Sequence, residues 1–597
     1  VIAVSDVEMS SAEPEGTPVT DYTGLSTAFT TDGTYYLAND ITVESASQLS
    51  VTADVVLDLN GNTLSKTYEQ LNNFLITIKG GSLTINDSGT DGGIKSVDYG
   101  IRLYSDSSLT VNGGAIETVD ESIDIYTSAT NVSVEIAGGS ITSTADNVLG
   151  IRGNANINVE ITGGTMVSNG RTGVYVSSYE ENAITITMTG GSIEHTYGLS
   201  GAFQIYSGAK VTIGGDARIS SENRTLVLQT GQSQSTLNIT GGTISSTGRG
   251  SAVIDTEGTA ELNISGGTFE ATSNKVLSAT EDTKVTIDGV GIELSGEMTD
   301  NATLTINESA SASIADGFEM ESNNKITNNG TLDVEGEITG ATDANLTGTG
   351  IVLGYEGEGF TDSTKVDGQS IDVTAQNMEQ VMASINDNPD MYEGITEVSV
   401  TEDVTNDYVI TVPAGIALSS VESTITTSAE GNGIVLKDGA SFSGTISLGV
   451  ATVTAQNLVS AGELSILRGS IVFDGDAESG SAMLISMDGE DVILTGTLNS
   501  GVSVTIVQGS ETVNVPVRFD NFNDNGGTVA FQLYGAVESS ETIPDWVDAV
   551  FAGNITLGGL TITNDSVYTY DGTSQYPEDM SAYISGISSQ GFINKNQ

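Results

Sequence analysis

Apolar and polar residues alternate along most of this chain in short bursts, and the bursts repeat. The runs "VSVEIAGG", "INVEITGG", "ITITMTGG", "STLNITGG" and "AELNISGG" place Val134/Ile136, Val159/Ile161, Ile186/Met188, Leu237/Ile239 and Leu262/Ile264 at every second position. That is the period of a strand with one buried face. Each run ends at a double glycine, where backbone freedom serves a corner. The first glycines of successive pairs, from Gly113 to Gly266, are 25, 25, 27, 24, 27 and 25 residues apart. A short second run follows each pair, then a polar turn, then a third run: "GIRLYS", "SIDIYT", "TGVYVS", "AFQIYS", "RTLVLQ". In these, Ile101/Leu103, Ile123/Ile125, Val174/Val176, Phe203/Ile205 and Leu226/Leu228 face one way. Three strands in about 25 residues are too few for a domain and suit one turn of a solenoid. The expected fold is all-β, a parallel β-helix with columns of Ile, Val, Leu and Phe along its axis.

The pattern weakens after "VTIDGVGIEL", and "YEGEGFTDSTKVDGQS" reads as a linker. Beyond it, "NMEQVMASIND" has helical spacing at Met378, Val381, Met382 and Ile385, with Asn377 placed as an N-cap and Gln380 at the third helical position. The earlier "DYTGLSTAFTTDG" matches it as a second cap helix. A helix over the open end of a solenoid blocks stray strand addition. The expected organisation is an N-terminal arm and cap (1–33), a first β-helix (34–354), a linker (355–376), a capping helix (377–394), a second β-helix (395–512), and a C-terminal β-rich domain and tail (513–597) that holds the single tryptophan, Trp546.

The opening turns "DGTYYLANDITV" and "ADVVLDLNGNTLS", followed by the glycine-cornered coils, are similar to those of the pectin-lyase-like parallel β-helix superfamily. The chain most resembles its secreted, adhesin-like branch, over roughly residues 34–354. The resemblance implies a right-handed coil. It does not select a function, because that fold carries lyases, tailspikes and adhesins alike.

Charge narrows the choice. The 597 residues hold 79 acidic and 18 basic side chains, a net charge of −61. Nucleic acid and anionic lipid both need a positive footprint and are excluded as partners. There is no cysteine, hence no disulfide or thiolate metal site. No run of eighteen apolar residues occurs, so no helical membrane insertion is expected. The chain begins "VIAVSDVEMS", which reads as a mature N-terminus left by signal-peptide cleavage, and the expected location is secreted, extracellular or cell-surface.

Candidate chemistry is sparse. His195 is the only histidine, and its place after "GGSIE" reads as a solvated turn. A Ser-His-Asp triad or a multi-histidine metal site has no other source. Superfamily lyases use clustered carboxylates that hold calcium and a basic residue as base. Arg102, Asp124 and Arg152 fall on the third-run side, with no compact set of aspartates evident beside them. No catalytic residue is assigned and the chain is not read as an enzyme. No cofactor is required. Calcium is the one ligand the polar loops admit, at Asp87 and Asp91 in "NDSGTDGG" and at Asp520 and Asp524 in "DNFNDNGG". Tyr104, Tyr126 and Tyr206 are expected in one outward column, with Tyr175 on the next. Beside Arg102 and Arg152 they form either a platform for sugar rings or a ladder that stabilises the face.

The leading expectation is a secreted structural or cell-surface protein, a self-associating subunit of a filament, surface layer or matrix. It would assemble through terminal arms and solenoid ends, with "VIAV" adding as a strand to a neighbouring copy. A glycan-binding adhesin is the first alternative. A polysaccharide lyase or hydrolase is the second.

Overall fold

The computed structural model describes residues 14–427, apart from 181–182, 197–199, 230, 232, 249–251, 274, 356, 358, 367–368 and 407. Beyond 427 it describes chiefly separate strands, the last being Val567–Thr569. The protein is an all-β parallel solenoid of about 15 turns with about 25 residues per turn. It divides into two compact units, 1–363 and 364–597.

In the first unit, the first and second runs of each coil build a 23-stranded sheet and the third runs a 12-stranded sheet. Ala155–Ile161 pairs in parallel with Thr130–Ile136 on one side and Ile184–Met188 on the other. Register holds residue for residue, so Ile136, Ile161 and Met188 form one inward column. The third runs do the same: Ile101, Ile123, Leu149, Val174, Phe203 and Leu226 stand in line. All of these residues are buried. The inward positions read from the alternation are therefore the core, which continues from Val19 to Phe360. From Ile292 on, coils shorten, and Ile292–Leu294, Ser311–Ile314, Thr331–Val334 and Ile351–Leu353 form a further stack.

The glycine corners are tight. Gly164 has φ +76°, and a Cβ there would stand 2.8 Å from the carbonyl oxygen of Gly138 in the coil before. Only a residue without a side chain lets consecutive corners approach so closely.

Helix α1 (Tyr22–Ala28) begins at Asp21, whose carboxylate accepts the Gly24 amide at 2.8 Å. It buries Leu25 and Ala28, and Phe29 behind it, over the start of the core. The first strand, Thr17–Val19, carries Pro18 at its centre. Proline has no N–H to offer a further strand, so this edge is blunted as well as covered.

In the second unit, α2 (Met378–Asp387) buries Met378, Val381, Met382 and Ile385, the four residues given by its spacing. The capping differs from expectation. The Asn377 side chain makes no cap bond to the helix; its oxygen instead accepts the Thr374 amide at 2.6 Å. Parallel stacking in this unit runs past residue 512: Val492–Thr497 pairs with Val517–Asn523, and Ser503–Gln508 with Thr528–Gln532. Antiparallel pairs occur at Asp548–Ala552 with Val567–Thr569 and at Ile555–Leu557 with Leu560–Ile562. Trp546, the arm 1–13 and the tail 570–597 lie outside the described residues.

Adjacent residues of one strand should therefore carry unequal costs. Ile161→Ala should lower unfolding free energy by about 2–5 kcal/mol, and Glu160→Ala by no more than about 0.5 kcal/mol. Urea unfolding followed by circular dichroism compares the two.

Candidate functional site

Outward positions of the third runs gather the charge and the aromatic rings. Arg102 and Asp124 face each other in register, and Arg102 Nε donates to Asp124 Oδ2 at 2.5 Å. The guanidinium also lies 4.0 Å from the centre of the Phe74 ring and 5.4 Å from that of Tyr126.

Gly150 follows Asp124 in the same column, and Tyr175 follows Gly150. The missing side chain at Gly150 leaves a recess, and two residues fold into it. Arg152 donates from Nη2 to Glu121 Oε1 at 2.8 Å, and from Nη1 to Glu121 Oε2 at 3.0 Å and Asp124 Oδ1 at 2.6 Å. Asn147 donates to Glu121 Oε1 at 3.0 Å. A Cβ on residue 150 would overlap both the Glu121 carboxylate and the Arg152 guanidinium. The Arg152 guanidinium lies 5.4 Å from the centre of the Tyr175 ring.

Glu121 and Asp124 are buried. Burial first, and then the Asp124 charge, pushes the Glu121 carboxyl up to about 7, against the pull of Arg152 and Asn147. Burial works against the charged form of Arg152, but its hydrogen bond to Glu121 and the charges of Glu121 and Asp124 prevail and raise its pKa. Two arginines and two carboxylates thus neutralise one another within one patch. Neither arginine is a free base, and neither carboxylate is open to solvent.

The sequence reading put Asp124 with Arg102 and Arg152 on the third-run side; the acid it missed is Glu121. Glu121 lies in the turn before Ile123–Ile125 and reaches one coil forward, which linear spacing does not reveal. The available signal was Gly150, a glycine at an outward strand position, where something else must approach.

The tyrosines are only partly aligned. Tyr104 and Tyr126 neighbour each other with ring centres 5.0 Å apart, and the Lys79 ammonium lies 5.2 Å from the Tyr104 ring. The register then brings Arg152 and Ser177 to this position. Tyr206 falls at a register shift between Val176 and Ser177 and stands apart from the column. Tyr126 is 37 % exposed, and Tyr206 is exposed at its separate place. Tyr175 shares the Arg102 column, as expected.

His195 is not in a solvated turn. It ends the strand Ser192–His195 and is 1 % exposed. The alternation that turns Ile193 inward turns His195 inward too. It occupies a buried polar column, Lys66, Ser96, Thr118, Ser143, Ser168, His195, Ser221 and Ser246. Nδ1 lies 3.2 Å from Ser221 Oγ, and Nε2 has no hydrogen-bond partner among the described residues. Burial lowers its pKa, the largest effect on it.

Of the calcium candidates, Asp87 spends both oxygens on backbone amides, Gly61 at 2.8 Å and Gly92 at 2.9 Å. Asp91 is exposed at a left-handed turn position. Asp520 falls in the strand Val517–Asn523; its side chain and all of Asp524 lie outside the described residues. Among the described residues, no three His, Asp or Glu are gathered so as to hold a metal ion. No family model, curated protein or solved structure matches the chain.

Two outcomes follow. Gly150→Ala should destabilise by about 1–3 kcal/mol through overpacking, read from urea midpoints against wild type. The two buried titrating groups should leave opposite marks on stability against pH. The raised Glu121 stabilises below its ordinary 4.5 and loses that contribution as pH rises through about 7. The lowered His195 contributes above its ordinary 6.5 and loses that contribution as pH falls. Glu121→Gln should therefore remove a decline toward alkaline pH, and His195→Ser a decline toward acid, in melting temperatures across that range.

Proposed function

We propose that the protein is an extracellular structural solenoid, a shaft or surface-layer subunit that associates with copies of itself. The observation that supports this best is how the outward ionisable groups are used. The arginines that would serve a ligand or a reaction are engaged by carboxylates of neighbouring coils, which locks coil to coil. The same device recurs further along, where Arg224 bridges Asp255 and Glu257, and Lys275 meets Glu297. A face built this way resists bending and unwinding.

Helix α1 and Pro18 oppose end-to-end stacking at the N-terminal end of the solenoid. Association then runs through the sides or through the terminal arms. At a net charge of −61 it requires screening or bridging cations. A second reading, a glycan-binding adhesin, is favoured by the exposed Tyr126 ring stacked on Tyr104. The lyase reading draws no support from Arg102 or Arg152.

Electron microscopy and sedimentation of the purified chain with and without calcium, and at low and high salt, test the leading reading. Ordered assemblies that grow with cation concentration are the expected result. Dispersed monomers under every condition would sink it, and a glycan-array signal lost on Tyr126→Ala would move the reading to the adhesin.

A further inference from the structure

One corner of the first unit breaks the surface pattern. Where the second run of each coil ends, the next residue points outward, and down the solenoid these residues are Thr67, Val97, Val119, Thr144, Asn169, Thr196, Glu222, Thr247 and Thr272. The column is polar except at Val97 and Val119, which follow the paired strands Gly93–Ser96 and Ala115–Thr118 on consecutive coils. At the same place the preceding coil carries a longer loop, 67–73, with Tyr68 and Leu71. Leu71 is 78 % exposed, and Tyr68, Val97 and Val119 are between 40 and 44 % exposed. The loop is held against this corner: Gln70 donates its amide to Asp98 Oδ2 at 2.9 Å, and the Phe74 ring lies 4.7 Å from that of Tyr99. Four large exposed apolar residues thus fall on three consecutive coils at one corner, on a surface otherwise dominated by Ser, Thr and acids, the kind of patch that interaction sites use.

The rim fixes the kind of partner. Glu69, Asp98 and Asp120 belong to the same three coils and Asp146 to the next one, and they interact electrostatically around Asp120. Burial, and then hydrogen bonding to Asp98 and the charges of Asp98, Asp146 and Glu69, pushes the Asp120 carboxyl up to about 6. The nearby cations are already committed. The Lys66 ammonium is buried against the Asn73 carbonyl and 4.0 Å from Asp98, and Arg171 lies 3.7 Å from Asp146. The corner is thus apolar at its centre with an excess of negative charge around it.

We propose that this corner docks a segment of a partner protein in which aliphatic or aromatic side chains alternate with Lys or Arg. The apolar side chains cover Leu71, Val97 and Val119, and the cations meet Asp120 and Glu69. A second copy of this acidic chain supplies the wrong charge, so this contact is distinct from self-association.

The test uses the full chain and a short fluorescent peptide of alternating Leu and Lys, followed by anisotropy at physiological ionic strength. Leu71→Ser with Val119→Ser keeps the net charge and touches only exposed positions, so its melting temperature should match wild type. That double variant should bind the peptide about tenfold or more weakly. Asp120→Asn should weaken it too. Equal affinity of wild type and double variant, or equal binding of a Ser/Lys peptide, would assign the attraction to bulk charge and overturn the proposal. A double variant that loses self-association but keeps its peptide affinity would assign the patch to a second copy, which also overturns it. Failure of the chain to self-associate at all bears on the structural reading and leaves this test intact.

Discussion

Everything in this molecule depends on each coil returning its strands to the same places above the previous coil, in register. Parallel strands pair through evenly spaced hydrogen bonds, and a slip of one residue would turn the whole apolar set outward. Ile101, Ile123, Leu149, Val174, Phe203 and Leu226 keep one line although the steps between them are 22, 26, 25, 29 and 23 residues. The extra residues go into the turns. Corner glycines permit close approach, and the core columns penalise any other register.

That constraint also decides which polar side chains meet. A residue's neighbours are set by its coil and its place in the coil, so Arg102 finds Asp124 in the next coil at the same position. Arg152 and Glu121 meet because Gly150 leaves the place between them open. Inside, the column ending each second run accepts Ser and Thr, whose hydroxyls bind turn backbone, as Thr118 does with the Asp120 carbonyl of its own turn and Ser143 with the same carbonyl from the next coil, both at 2.7 Å. Lys66 and His195 are the costly members of that column, and each has a specific arrangement: Lys66 faces Asp98, and His195 Nδ1 meets Ser221 Oγ.

The fold was legible because its signals are periodic. Alternation gave the inward residues, the glycine pairs gave the coil length, and 3.6-residue spacing gave the buried face of α2. Features that depend on one coil's turn were not legible. The reach of Glu121 across a coil, the register shift that removes Tyr206 from the column, and the inward turn of His195 each required knowing where a strand ends to the residue. The part Asp87 plays in its turn was likewise hidden. "NDSGTDGG" has the composition of an ion site, but Asp87 uses its oxygens to build the turn.

The interlocked charges and the apolar corner exist only if consecutive coils align in this register. The chain has no cysteine, which makes one measurement direct. Glu135 and Glu160 are exposed and directly opposed on neighbouring strands. Glu135→Cys with Glu160→Cys should close an intramolecular disulfide on mild oxidation, seen as lost thiol labelling in the monomer, because paired strands hold such positions within bonding reach. Glu135→Cys with Thr187→Cys, two coils apart, should remain reduced. A Glu135–Glu160 cysteine pair that stays reduced, or closes no more readily than the distant pair, would contradict the stacked register and the account built on it.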